Sequence, residues 1–244
     1  MLNTEEQKII DNIDAEEITR LCIDAIKAPS YVPPFGTEQE IAELFQKKLH
    51  SCGVDARLQE VEPSRPNVIG TIAGKGGGRS ILFNGHIDTI VPVMGWTRDP
   101  HAGLIEGDRI YGMGISNMKA SCVAMVAAMG ALKRSKVQML GDVIAFLVMG
   151  ECRGGEGAVY GINHGITADY FINGEPTDLN VLTLHSGVSQ IKIIVRGISH
   201  HFGINGKGVN AIEKAIKIVQ ALGPTMTPMG KGSWLRKPHD TPAY

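Results

Sequence analysis

The chain lacks paired thiols: its four cysteines, Cys22, Cys52, Cys122 and Cys152, lie far apart and form no CxxC pair. They leave no disulfide framework to organise the fold and are read as reduced thiols. An excess of charge is also missing, with 24 Lys and Arg against 25 Asp and Glu and a net charge of -1. No basic stripe interrupts that balance, so there is no electrostatic footprint for nucleic acid and none is expected as a partner. No apolar run reaches the length of a bilayer span. The N-terminal MLNTEEQKIIDN is acidic where a signal peptide needs a basic patch and an apolar segment. These absences predict a cytoplasmic protein without a membrane partner. What is present is an ordinary globular composition, 43% hydrophobic, with 30 glycines bunched in loops, as close backbone turns around a site or linkers require. At 244 residues the chain suffices for one large domain or two smaller ones.

The stretch SILFNGHIDT, Ser80 to Thr89, organises the rest. Ile81, Leu82 and Phe83 read as a strand buried on both faces, and a glycine turn then delivers His86 and Asp88. Residues i and i+2 of extended backbone point the same way, which puts this pair at the carboxyl end of the strand, where open α/β sheets place ligands. A ligating histidine commonly donates its second ring N–H to a carboxylate, and Asp88 is placed for that. A solvated or locally bonded pair is the plainer alternative.

Periodicity predicts helices over 14–28, capped by Asp14, and over 37–52, with a Thr37–Glu40 capping box and a stop at Gly53. Strands are predicted at 54–61 and 67–73. Trp96 is expected to be a buried plug under the irregular 90–114 stretch. Residues 118–135 form a helix apolar on nearly all sides, and DVIAFLVM (142–149) and DYFIN (169–173) are further buried strands. Alternating buried strands and helices imply an α/β sandwich. After Leu184 the pattern changes: 188–196 alternates like a half-solvated strand, and a helix starts near Asn210 with Glu213 at its third position and a Gly223–Pro224 stop. A domain boundary is placed near His185.

Asn117 opens the central helix, and Glu151 and Glu175 directly follow buried strands. Donors converging from separate strands suit a zinc-type site, although both glutamates could equally be helix-capping carboxylates. A Cys152 nucleophile is disfavoured, because no histidine is positioned to activate it.

Read together, GHIDT (85–89), GWTRDP (95–100), RIYGMG with NMK (117–119), GE (150–151), GEPTDLN (174–180), RGISHH (196–201) and GVNAIEK (208–214) resemble the acetylornithine deacetylase, succinyl-diaminopimelate desuccinylase and carboxypeptidase G family of zinc amidohydrolases and metallopeptidases. The resemblance implies a three-layer α/β sandwich catalytic domain with a mixed, largely parallel sheet over residues 1–184. Residues 185–244 would begin an α+β, ferredoxin-like lid that makes a homodimer. It implies hydrolysis of an N-acyl amino acid or short peptide by metal-activated water. His86 and Glu175 correspond to ligands of one zinc, Glu151 to a ligand of the other, Asp88 to the residue orienting His86, and His201 to a lid histidine that serves a partner's oxyanion.

Three departures shape the expectation. The aspartate that bridges both metals falls at Asn117; two divalent cations about 3.5 Å apart repel by about 19 kcal/mol at a dielectric near 20, which a neutral amide does not offset. One ion rather than two is therefore expected, zinc with cobalt or manganese as substitutes. The base glutamate falls at Gly150, a loss of about 10² to 10⁴ in rate, and Glu156 could replace it only if its glycine-flanked loop folded back. The family's last histidine ligand comes later than Tyr244, where this chain stops. The alternative is a catalytically silent binding or dimerisation module that keeps the fold.

Overall fold

The structure is a computed structural model, and it describes residues 2–183, 191–201 and 208–222. In chain order the elements are α1 (Thr4–Ile10), α2 (Ala15–Lys27), α3 (Gln39–Ser51), β1 (Asp55–Glu62), β2 (Arg65–Ile72), β3 (Ile81–His86), β4 (Leu104–Glu106), β5 (Arg109–Tyr111), α4 (Ala120–Ser135), β6 (Val143–Val148), α5 (Glu156–Asn163), β7 (Tyr170–Asn173) and α6 (Ala211–Leu222). The chain divides into two units, Met1–Pro176 and Thr177–Tyr244.

In the first unit, the Asp14 carboxylate accepts the Glu17 N–H at 3.0 Å and starts α2, as expected. Leu21, Cys22, Ala25 and Ile26 then fall on one buried face. α3 buries Ile41, Ala42, Phe45 and Leu49 on the same principle. Its start corrects the expected Thr37–Glu40 box. Glu38 is the cap residue and makes no side-chain cap bond. Its carboxylate is drawn inward to Arg65, whose Nε and Nη2 donate to its two oxygens at 2.8 and 2.7 Å.

The main sheet runs β1-β2-β6-β3-β7. β6, β3 and β7 are parallel to one another, and β1 and β2 join antiparallel at one side. α4 is buried almost all round, through Cys122, Val123, Met125, Val126 and Met129 among others. With its preceding turn it is long and apolar enough to cross a bilayer, over Ile115–Ser135. Here it shares a core with α2, α3 and the sheet. α5 covers the other face, where Ala158 meets Ile69, Leu82, Phe146 and Val148. That approach requires Gly161, since a Cβ there would lie 2.1 Å from the Phe146 ring.

Two expectations of burial fail. All four residues of β7 are exposed, because β7 is the sheet's edge and no helix covers it among the described residues. Trp96 is 40% exposed rather than a plug; of the 90–114 stretch it is Ile110, on β5, that packs against the core.

In the second unit, Asn210 caps α6 by accepting the Ile212 N–H at 2.9 Å, and Ile198 bridges Val209 antiparallel. Residues 191–196 carry no strand pairing among the described residues, and Ile191 and Ile194 are exposed. The expected boundary at His185, the first part of the 188–196 strand and the Gly223–Pro224 stop lie outside the described residues.

Candidate metal centre

Three parallel strands end on one sheet edge, and each delivers a candidate donor just beyond its last pair. His86 ends β3 opposite Val148 of β6, so the β6 chain continues through Met149 and Gly150 to Glu151 beside it. Asn84 pairs with Asn173, which sets Glu175 two residues past β7 on the same side. Asn117 arrives from the tight turn Ile115–Lys119 that precedes α4.

The other three side chains converge on one atom of the fourth, His86 Nε2. Asn117 Oδ1 lies 3.0 Å from His86 Nε2, and the nearest oxygens of Glu151 and Glu175 lie 3.8 and 3.9 Å from it. Two donors each about 2.1 Å from a tetrahedral ion are separated by about 3.4 Å. The observed spacings lie within about half an ångström of that, and the imidazole, carboxylate and amide oxygens present suit zinc, cobalt or manganese. Measured from His86 Nε2, the three oxygens therefore stand where donors to one divalent cation can.

Asp88 is fully buried. Its main-chain oxygen lies 3.0 Å from His86 Nδ1, and its carboxylate oxygen 3.5 Å from the same nitrogen. The carboxylate itself accepts the N–H groups of Glu151 and Cys152 at 3.0 and 2.9 Å. Asp88 thus orients the ring largely through its backbone and clamps the Glu151 turn with its side chain. Burial raises the Asp88 carboxyl, but His86 and the two N–H donors outweigh it and hold the group below the usual carboxylate range. Burial likewise disfavours a charged His86 ring, yet Asp88, Asn117 and Glu175 push its pKa up to about 9. Protonated, the ring donates from both nitrogens; a cation at Nε2 takes the place of that proton. Burial pushes the Glu175 carboxyl up, His86 opposes this, and the charges of Glu151 and Asp88 add to it.

Gly150 adopts φ +72°, and a Cβ built there would stand 3.0 Å from Glu156 Oε2 and 3.3 Å from Arg65 Nη2. The glycine-flanked loop of Glu156 does fold back, and Arg65 and Arg153 hold its carboxylate at 3.3 and 3.2 Å. Each oxygen is thus paired with one arginine, which ties the carboxylate to those cations. His201 lies on an exposed segment of the second unit.

Several supporting residues escape a reading of motifs. Arg65 and Glu38 are buried partners 27 positions apart with no pattern to link them. Lys119 is buried and donates to the Ala25 and Ala28 carbonyls at 2.8 Å each, tying the end of α2 to the Asn117 turn; burial pushes its ammonium down to about 8. Cys152 lies with His86 and Glu151, an imidazole nitrogen, a carboxylate oxygen and the sulfur all within 4.8 Å of one another. Its adjacency to Glu151 in sequence was the available signal. Burial, followed by the charge of Asp88 and a bond to its carboxylate, pushes the Cys152 thiol up, the opposite of an activated nucleophile.

The family model described as Peptidase family M20/M25/M40 matches residues 82–235. The chain is 25% identical over 228 residues to the N-formyl-4-amino-5-aminomethyl-2-methylpyrimidine deformylase of Bacillus subtilis (strain 168), across 85% of this chain and 52% of that protein. It is 32% identical over 193 residues to the acetylornithine deacetylase of Vibrio cholerae serotype O1, across 77% of this chain and 49% of that protein. Human carnosine dipeptidase 1 shares the fold, with a TM-score of 0.58 at 18% identity over 71% of this chain and 41% of that one. The chain spans about half the length of the curated relatives it matches.

Proposed function

Because the chain belongs to peptidase family M20/M25/M40, we propose that it is a metal-dependent hydrolase of an amide bond, deacylating an N-acyl amino acid or cleaving a short peptide. The observation that carries the reading is the convergence of Asn117, Glu151 and Glu175 oxygens around His86 Nε2. A divalent cation bound there would supply Lewis-acid chemistry, polarising an amide carbonyl and lowering the pKa of water.

His86, Glu151 and Glu175 would hold that cation, zinc by preference with cobalt or manganese as substitutes, and Asn117 would supply a neutral oxygen that favours one ion over two. The Asp88 carbonyl accepts a hydrogen bond from Nδ1–H and leaves Nε2 free to ligate, while the Asp88 carboxylate fixes the turn that carries Glu151. Gly150 has no side chain to accept a proton, and Glu156 beside it is held by two arginines, so turnover is slower by about 10² to 10⁴ than with a positioned base. His201 takes the role its motif implies, donation to the developing oxyanion at a partner's site in a cytoplasmic homodimer.

A second reading, a binding or dimerisation module without catalysis, is favoured by Gly150, whose missing side chain has been replaced in space by the Glu156–Arg65 pair. Metal analysis and hydrolysis of a panel of N-acyl amino acids and dipeptides separate the two. The enzyme reading expects bound metal and slow hydrolysis, both lost in His86→Ala. Metal-free protein at neutral pH that is indifferent to His86→Ala would end it, and bound metal with no hydrolysis would select the silent module.

A further inference from the structure

We propose that Cys152 is itself a metal ligand, its sulfur joining the His86 nitrogen and the Glu151 oxygen that the metal-centre reading already assigns to the cation. This rests on the metal-centre reading above and deepens it.

The three ligand atoms lie within 4.8 Å of one another. Zinc bonds of about 2.0–2.3 Å to nitrogen, oxygen and sulfur put donors about 3.5 Å apart, so closure requires a shift of about an ångström. The Glu151 side chain, 53% exposed, can make it without repacking the core. The backbone of Cys152 is already fixed, because its N–H donates to Asp88 Oδ2 at 2.9 Å. Glu151 and Cys152 are thus presented by one turn held on one buried carboxylate.

Charge points the same way. Asn117 brings only a neutral oxygen to His86 Nε2, which leaves the shell one anion short of a set with an acidic residue there. A thiolate restores that anion. On binding, the Cys152 S–H bond breaks, the sulfur pair forms the bond to the cation, and the proton leaves to solvent. A sulfur ligand also changes preference: zinc, cobalt and cadmium gain over manganese and magnesium, which favour oxygen.

Among the other thiols, Cys22 and Cys122 are buried, and Cys122 already donates to the His86 main-chain oxygen at 3.3 Å. Cobalt titration of the full chain therefore reads the proposal directly. The expected result is one cobalt with an intense near-ultraviolet sulfur-to-cobalt band, the band lost in Cys152→Ser and all cobalt lost in His86→Ala. Zinc affinity of Cys152→Ser should fall at least as far as when a residue behind a ligand is removed, about 10- to 100-fold. A measurement on the unaltered protein guards against a folding defect: zinc should slow iodoacetamide labelling of Cys152, followed by peptide mass spectrometry, at least severalfold. Cobalt bound without the sulfur band, or labelling of Cys152 at the same rate with saturating zinc, would overturn the proposal while leaving the metal centre standing. Absence of any cobalt or zinc binding would overturn the metal centre and this proposal together.

Discussion

At the scale of single residues, position 150 bears most directly on the proposed chemistry. A glutamate there would have to adopt φ +72° and displace the Glu156 carboxylate and Arg65 guanidinium that stand 3.0 and 3.3 Å from its Cβ. A non-glycine residue in that region costs about 1–3 kcal/mol. Gly150→Glu is therefore expected to lower stability by about that amount, read as the urea midpoint, and not to raise hydrolysis; only the double change with Glu156→Ala vacates the space. The Arg65–Glu38 pair behaves oppositely. Both side chains are buried and doubly hydrogen-bonded, so Arg65→Met strands a carboxylate in the core. The expected loss is about 3–5 kcal/mol in chemical denaturation, largely recovered in Arg65→Met with Glu38→Leu, since a buried pair contributes little over an apolar one.

At the scale of elements, the site depends on how β7 is held against β3. The Asp169 carboxylate accepts the Ser80 N–H at 2.7 Å and its hydroxyl at 2.9 Å, pinning the starts of both strands. The Ser80 N–H and hydroxyl keep the Asp169 carboxyl below its ordinary value of 3.8. A carboxyl whose folded pKa is depressed stabilises the fold above its unfolded pKa and loses that contribution as pH falls through the folded value. The melting temperature of Asp169→Asn should thus lie below that of the parent at neutral pH, with the gap closing as pH drops below 3.8. A gap unchanged by pH would place the effect elsewhere. β7 also marks where pattern misleads: YFIN reads as a strand buried on two sides, but apolar content reports only that a strand wants cover, and this edge strand has none among the described residues.

At the scale of the molecule, the metal centre joins three strands and the turn before α4, so a bound ion should stabilise the whole first unit. Zinc at about 100 times its dissociation constant contributes about 2.7 kcal/mol to a site present only in the folded state. The thermal midpoint is expected to rise with zinc, fall again with chelator, and show neither response in His86→Ala. A rise that survives His86→Ala would move the ion to another site.

Local physics is written in neighbouring residues, and there the sequence was sufficient. Asp14 caps α2 through an amide three positions on, Gly53 closes α3 with φ +74°, and the apolar spacing of α4 marks a core helix. The five strands of the main sheet, their α/β alternation and the four candidate donors at 86, 117, 151 and 175 were legible for the same reason, since each depends on periodicity or on a short motif, whereas β4 and β5 lay in a stretch read as irregular and 191–196 pairs with no strand among the described residues. What passes between distant segments was not. The withdrawal of Glu38 from its capping role, the return of Glu156 to the space beside Gly150, the exposure of Trp96 and the approach of Cys152 to His86 and Glu151 were decided by the tertiary structure. They depend on which side chains compete for one buried charge or one volume, and residues far apart in sequence enter that competition only once the sheet has ordered them in space.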